Sequence, residues 1–419
     1  MPIDKVPIYC LRTNPKNWLR ASLLKFKLTA REILEQASLP VESLKHMPWS
    51  ERYSYLHSIA LRNQANRWEN TTGIAPADSG FSLIIPVHNE EHSLPSFLST
   101  LLLADLPSAA HINIIFIANA CNDASGQILD NFLFGLGKIE MRLLQDNFHD
   151  QLLNPSYKAV SLDNVTFMHL DTQTPGKGHA LRTGNSLARS SGHSIAMCID
   201  ANDYIEPDAI RLMFGAAIHT FRNPLAVGDA VILSGMGYSE RRVSWLKRAI
   251  DMIESKRQHL VNDTSGYILG CLMAWNTEWL HSIGNPLGIA LEDYAMGVLA
   301  RAHGYRIGQV KEAIIWSYGV NTFTDLLETR SRYVRGMLQL LYAANYAPST
   351  QKIVEQDSFF MRNLRARLHH LLQCSRMHPL NFPKYLATFF LWEYALVRGK
   401  RDFRRNPTNP TWKKIASTR

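Results

Sequence analysis

Four short apolar runs, each closing on a cluster of polar residues, constrain this chain more than any other feature. Phe81–Val87 (FSLIIPV) opens onto His88-Asn89-Glu90-Glu91, and Ile112–Ala118 (INIIFIA) onto Asn119-Ala120-Cys121-Asn122-Asp123. Val165–Leu170 leads to Pro175-Gly176-Lys177-Gly178, and Ser194–Ile199 (SIAMCI) ends on Asp200-Ala201-Asn202-Asp203. Helical patterns lie between them at His92–Ala104, Ser125–Leu136 and His179–Ser190. Strands that are apolar on both faces belong to a sheet covered by helices on both sides. Such sheets bind ligands beyond the carboxyl ends of their strands. Taken singly, each polar cluster is a turn or a helix start: Glu90 and Glu91 suit a helix N-terminus and Asn119 suits a turn. Four in succession on one edge make a site.

The rest of the chain is organised around this block. With 419 residues, it exceeds one ordinary compact domain. Residues 1–78 read as a helical extension, with apolar residues recurring at helical spacing from Ile33 to Leu61. Ala75–Gly80 reads as a linker, 79–322 as the catalytic α/β domain, and 323–419 as a helical region with a basic tail. The stretch 137–164 interrupts the pattern without a clear element. A content of 46% hydrophobic and 19% charged residues excludes a disordered chain. The five cysteines are scattered, with no CxxC pair, so neither a zinc site nor a disulfide framework is expected. No apolar run reaches the ~20 residues that span a bilayer, and the opening residues carry no signal-peptide pattern. The expected location is cytoplasmic, at most peripheral on the inner face of a membrane.

The polar clusters fall into a known order. Pro86-Val87-His88-Asn89-Glu90-Glu91, Ala118-Asn119-Ala120-Cys121-Asn122-Asp123, Gly176-Lys177-Gly178-His179-Ala180-Leu181, Asp200-Ala201-Asn202 with Pro207-Asp208, Glu292-Asp293, and Arg330-Ser331-Arg332-Tyr333 succeed one another along the chain. This series resembles the inverting glycosyltransferases of family 2, from Phe81 to about Gly336. The resemblance implies the GT-A fold, a Rossmann-like mixed sheet flanked by helices, and transfer of a sugar from a nucleotide diphosphate, UDP by default, to an acceptor hydroxyl. It also implies a role for each cluster. Asp293 is the expected catalytic base, supported by Glu292. Pro86, His88, Asn89, Glu90, Asn119, Asp123, Lys177, Asp200, Arg330, Arg332 and Tyr333 are the expected donor-binding residues.

The chemistry accounts for these residue types. Charge develops on the departing diphosphate, so cations belong beside it. A Mn²⁺ or Mg²⁺ ion held by Asp200 and Asn202 is one expected source, although Asn202 stands where the family carries a second Asp and adds no charge. Lys177, in a glycine-flanked loop, is another, as are Arg330 and Arg332, whose planar forks suit phosphate. Tyr333 replaces a usual Trp. The family's base-reading Asp falls at Ala118, which leaves Asn119 or Asp123 to read the nucleotide base.

Other functions stay open on the sequence alone. Asn202, Ala118 and Tyr333 suit a catalytically degenerate nucleotide-sugar-binding regulator. A nucleotidyltransferase would need a second acidic metal cluster, and none is visible. Residues 390–419 hold eight Lys/Arg against two acids, which places +6 of the chain's +9 in that tail. An anionic membrane surface suits it, next to the aromatic segment Asn381–Val397, and with it a glycan or lipid-linked acceptor. Nucleic acid is the weaker partner, because only Phe403 and Trp412 stand among these charges to stack on bases.

Overall fold

The computed structural model describes residues 80–107, 110–143, 156–221, 226–239, 268, 270–284, 289–317, 323–344, 349–355, 363–377 and 382–407. The helical expectation for residues 1–78 and the tail beyond 407 lie outside them. The described residues build one ten-stranded sheet in the order β3-β4-β5-β2-β1-β6-β9-β8-β10-β7.

Its centre is the expected block. Strands β1 (Gly80–Val87), β2 (His111–Asn119), β5 (Val165–Thr172) and β6 (Ile195–Ile199) run parallel. Helices α1 (Leu94–Leu102), α2 (Ser125–Leu136) and α3 (Lys177–Ser190) connect them. The apolar runs are two-faced because both faces are covered. Leu83 and Ile85 pack with Phe97, Phe132 and Phe214 on one side, while Ile84, Ile115 and Ile117 pack with Ala180, Leu181 and Trp279 on the other. On the second side the helix comes in close: a Cβ on Gly184 of α3 would sit 2.6 Å from the Ile84 side chain. Glycine there lets α3 lie against β1.

The interrupted stretch 137–164 turns out to extend the sheet. β3 (Glu140–Leu143) and β4 (Ser156–Leu162) add antiparallel strands beyond β5. β3 is mostly exposed and therefore lacks the apolar run that marks a covered strand. On the far side, β9 (Leu272–Asn276) pairs antiparallel with β6. The rest of that half is β7 (Tyr204–Ile205), α4 (Ala209–Thr220), β8 (Ala230–Ser239), α5 (Thr277–Ile283), α6 (Glu292–Ala302) and β10 (Arg306–Ser317). Then come α7 (Phe323–Ala344), a short helical stretch at 349–355, α8 (Leu364–Met377) and α9 (Phe382–Arg405).

The parallel registers bring the polar clusters together. Val87 pairs with Ala118, Asn119 with Thr172, and Ile84 with Cys198, so His88, Asn119, Thr172 and Asp200 all leave the sheet at one edge.

Candidate active site

Lys177 is the hub of that edge. It is the first residue of α3, behind Gly176 at φ 123°, a left-handed conformation that favours glycine. Its Nζ lies 2.6 Å from Asp200 Oδ1 and 3.4 Å from Glu292 Oε1, and it donates to the Gly270 carbonyl at 2.8 Å. Burial works against the Lys177 charge, yet Asp200 above all holds its pKa well above the ordinary lysine value.

Gly270 joins this hub to the start of α6. Its carbonyl takes Lys177, and its N–H donates to Asp293 Oδ2 at 3.0 Å. The Tyr294 N–H donates to the other oxygen, Oδ1, at 2.7 Å. The Asp293 carboxylate is thus oriented by two main-chain donors. Burial raises the pKa of both acids, against the pull of Lys177, and pushes Glu292 up to about 7. Two adjacent carboxyls of raised pKa in a cluster with one ammonium are suited to accept a proton near neutral pH.

The ends of β1 and β2 join this cluster through Asn119 and Gly176. His88 Nδ1 lies 2.6 Å from the Asn119 carbonyl, and Asn119 Nδ2 donates to the Gly176 carbonyl at 2.6 Å. Asn119 is only 2% exposed, and its Oδ1 has no hydrogen-bond partner among the described residues. The hydroxyl of Thr172, its register neighbour, is in the same condition. Two orphaned polar atoms side by side at the carboxyl edge are the usual mark of a site for a polar ligand. Thr172 lies outside the polar clusters in sequence and surfaces only through strand register.

The remaining expected residues hold the loops. Asn89, at φ 55°, accepts from the Asn122 N–H through its side chain at 2.8 Å. Asp123 accepts from the N–H groups of Glu91 and Ser125, at 3.1 and 3.0 Å. The Glu90 N–H donates to Ser125 at 2.7 Å, and the Glu90 carboxylate takes the Ser93 hydroxyl. Pro86, one residue before the end of β1, is half-buried. Asp123, weighed as a base reader, has both oxygens engaged in tying the β1 and β2 loops.

Arg330 and Arg332 part company. They stand two apart on α7 and so leave the helix on nearly opposite sides. The charge of Arg332 acts on Asp293. Arg330 is 6% exposed and lies 5.0 Å over the Trp392 ring of α9. Tyr333 sits 5.8 Å from Arg330 and 5.9 Å from Arg332, and packs beside Leu291. Cys271 is no nucleophile in this setting, since burial and the nearby Asp203 and Asp200 raise its pKa well above the ordinary thiol value.

Two family profiles cover this site. Glycosyl transferase family 2 matches residues 82–284, and glycosyl transferase family group 2 matches 195–398. Between them the two profiles make residues 82–398 a match to the family 2 glycosyltransferases. Among solved structures it resembles the mannosyltransferase PcManGT from Pyrobaculum calidifontis, in complex with GDP-Man and Mn²⁺. That pair is 15% identical, spans 85% of this chain and 99% of the other, and superposes with a TM-score of 0.51. TarS of S. aureus in complex with UDP-GlcNAc (residues 1–349) is 14% identical over 81% of this chain and 95% of its own, with a TM-score of 0.39. At 15% identity the likeness to PcManGT concerns the GT-A fold. No protein of curated function matches the chain in sequence.

A divalent metal is common in this fold, and the donor set here fits only a lean version of it. Asp200 keeps 34% of its side chain exposed to the cleft, with one oxygen on Lys177. Asn202 offers a neutral carbonyl, and no group of three or more His, Cys, Asp or Glu side chains is placed to hold a metal ion among the described residues. One carboxylate with an amide suits a hard cation that completes its shell with substrate phosphates.

Proposed function

We propose that this protein transfers a sugar from a nucleotide diphosphate to an acceptor hydroxyl, with inversion at the anomeric carbon. The observation that carries the reading is the chain of contacts from Asp200 through Lys177 and Gly270 to Asp293, which ties a cationic anchor to an oriented carboxylate in one cleft.

Each group has a step. Lys177 supplies a fixed positive charge where negative charge grows on the departing diphosphate. Arg332 adds a second. Asp293 receives the proton of the acceptor hydroxyl as its oxygen attacks the anomeric carbon and the bond to the diphosphate breaks. Glu292, within 3.4 Å of Lys177, keeps the ammonium in place. Asp200 and Asn202 would hold a Mn²⁺ or Mg²⁺ ion. Such an ion supplies further charge neutralisation on the diphosphate.

The base of the donor belongs beside Asn119. Its orphaned Oδ1 is an acceptor in search of an N–H. Uracil at N3 and guanine at N1 both offer one, so Asn119 suits UDP- and GDP-sugars alike. The GDP-Man and Mn²⁺ in the PcManGT complex are consistent with a nucleotide-sugar donor and a metal.

The test is release of nucleotide from UDP-, GDP- and dTDP-sugars, with and without Mn²⁺. One donor is expected to be turned over by the parent protein. In Asp293→Asn, turnover should fall about 10²–10⁴-fold, the scale of general-base catalysis, while donor binding persists. Undiminished turnover in Asp293→Asn overturns the assignment, and binding without turnover in the parent favours a regulatory binder.

A further inference from the structure

The helices behind the cleft carry a surface that the transfer reaction does not use. On α9, Pro383, Ala387, Phe390, Tyr394, Val397 and Arg401 are all exposed. Their spacings alternate four and three, which puts them on one face of the helix. Phe390, Tyr394 and Val397 are 62%, 59% and 68% exposed. The neighbouring α8 also turns a leucine row outward, Leu364, Leu368 and Leu372.

These rows are outward because the inner faces are committed. Leu371 of α8 packs with Leu386 and Phe389 of α9, and Arg367 meets Glu393 at 2.6 Å. Leu391, Ala395 and Leu396 are buried. On the side toward α7, Trp392 lies under Arg330, and Gly399 fits against Val334, where a Cβ would come within 2.6 Å. No rotation of α9 could hide Phe390 without exposing this packed side.

Charge selects the occupant. Residues 364–405 hold nine Lys/Arg and two acids, +7 of the chain's +9. Both acids, Glu393 and Asp402, face Arg367 and Arg398. Arg365, Arg376, Lys400, Arg401, Arg404 and Arg405 are exposed. A second copy docking here would set +7 against +7. An aromatic stripe running into basic residues matches instead the boundary of an anionic bilayer.

We propose that the exposed face of α9, with α8 beside it, docks on an anionic lipid surface. Phe390, Tyr394 and Val397 enter the acyl boundary, and Lys400, Arg401, Arg404 and Arg405 meet the headgroups. No described helix is long and apolar enough to cross the membrane, so the contact is interfacial. α9 packs on α7, the helix that carries Arg332, so docking brings the cleft to within one helix of the lipid.

Vesicle flotation of the full chain tests this. Binding is expected to vesicles of phosphatidylcholine mixed with phosphatidylglycerol, to be absent from phosphatidylcholine alone, and to weaken with salt. Arg401→Ala and Arg404→Ala should each lower partitioning about fivefold, the equivalent of about 1 kcal/mol per basic residue. Phe390→Ser should abolish binding with the thermal midpoint little changed, since the side chain is mostly exposed and gives up only an edge contact with the Phe389 ring. Equal binding to neutral vesicles, or none to anionic ones, overturns the proposal. So does a dimer in sedimentation velocity that Phe390→Ser dissociates, because the face then belongs to a second copy.

Discussion

The main-chain N–H of Gly270 donates to Asp293 Oδ2 at 3.0 Å, while the carbonyl of the same residue accepts from Lys177 at 2.8 Å. One glycine therefore sets both the carboxylate and the ammonium. A Cβ at this position would fall 2.5 Å from Asp293 Oδ2 and 2.9 Å from its Cβ. Gly270→Ala is expected to displace Asp293 and lower kcat at least tenfold, with KM for the donor changed less. Steady-state kinetics with the donor found in the nucleotide-release assay check this. An unchanged kcat would mean that the hydrogen bond does not position the base.

The raised carboxyls predict an acid limb in the rate. Glu292 is pushed up to about 7 and Asp293 is raised as well, chiefly by burial. The pair titrates together, and the base must be deprotonated to take the acceptor proton. kcat/KM should therefore rise along an acid limb displaced upward from the ordinary carboxylate range, and level off once both carboxyls have ionised. Stability runs the opposite way. A carboxyl whose folded pKa exceeds its ordinary 4.5 favours the fold when protonated, so the contribution of Glu292 declines between pH 4.5 and about 7. Glu292→Gln should flatten that decline in urea titrations across this window.

Lys177 bears on stability as well as on turnover. Its ammonium stands between Asp200 and Glu292 and is 9% exposed. Removing it leaves two carboxylates without their cation, and breaking a buried ion pair costs about 3–5 kcal/mol. Lys177→Met should lower the denaturation free energy by about that amount and abolish turnover. Because its folded pKa is raised, the stability it contributes is fully present below its ordinary 10.5 and is lost only as pH climbs through the folded value. A parent-like denaturation profile for Lys177→Met would show that the cluster relaxes without it.

Asn202 offers a gain-of-affinity test. Beside Asp200 it gives a neutral carbonyl where a second carboxylate would add charge. Asn202→Asp should tighten Mn²⁺ binding by about tenfold in calorimetric titration with nucleotide present. Asp200→Ala should abolish metal-stimulated release. Stimulation that survives in Asp200→Ala would place the metal elsewhere.

The covered parallel strands were legible from the letters because burial on both faces leaves an uninterrupted apolar run. Phe81–Val87 and Ile112–Ala118 fall within one or two residues of β1 and β2. β3 and β4 were not legible, since the half-exposed strands at this end of the sheet carry no such run and depend on a neighbour to define them. The candidate site divides in the same way. Lys177, Asp200, Glu292 and Asp293 stand out as residue types in an ordered series, because short-range loop chemistry recurs with spacing. Their convergence depends on contacts between segments far apart in the chain, such as Lys177 with Gly270, 93 residues on, and with Glu292 beyond it, and spacing alone does not encode that. Helix phase also decided that the charge of Arg332 acts on Asp293 while Arg330 lies over Trp392, since both are equally cationic in sequence. The sequence by itself determined the kinds of groups available and the strand ends that bear them. Tertiary structure alone decided which of them share a hydrogen bond, because register and helix rotation are set by packing across the whole sheet.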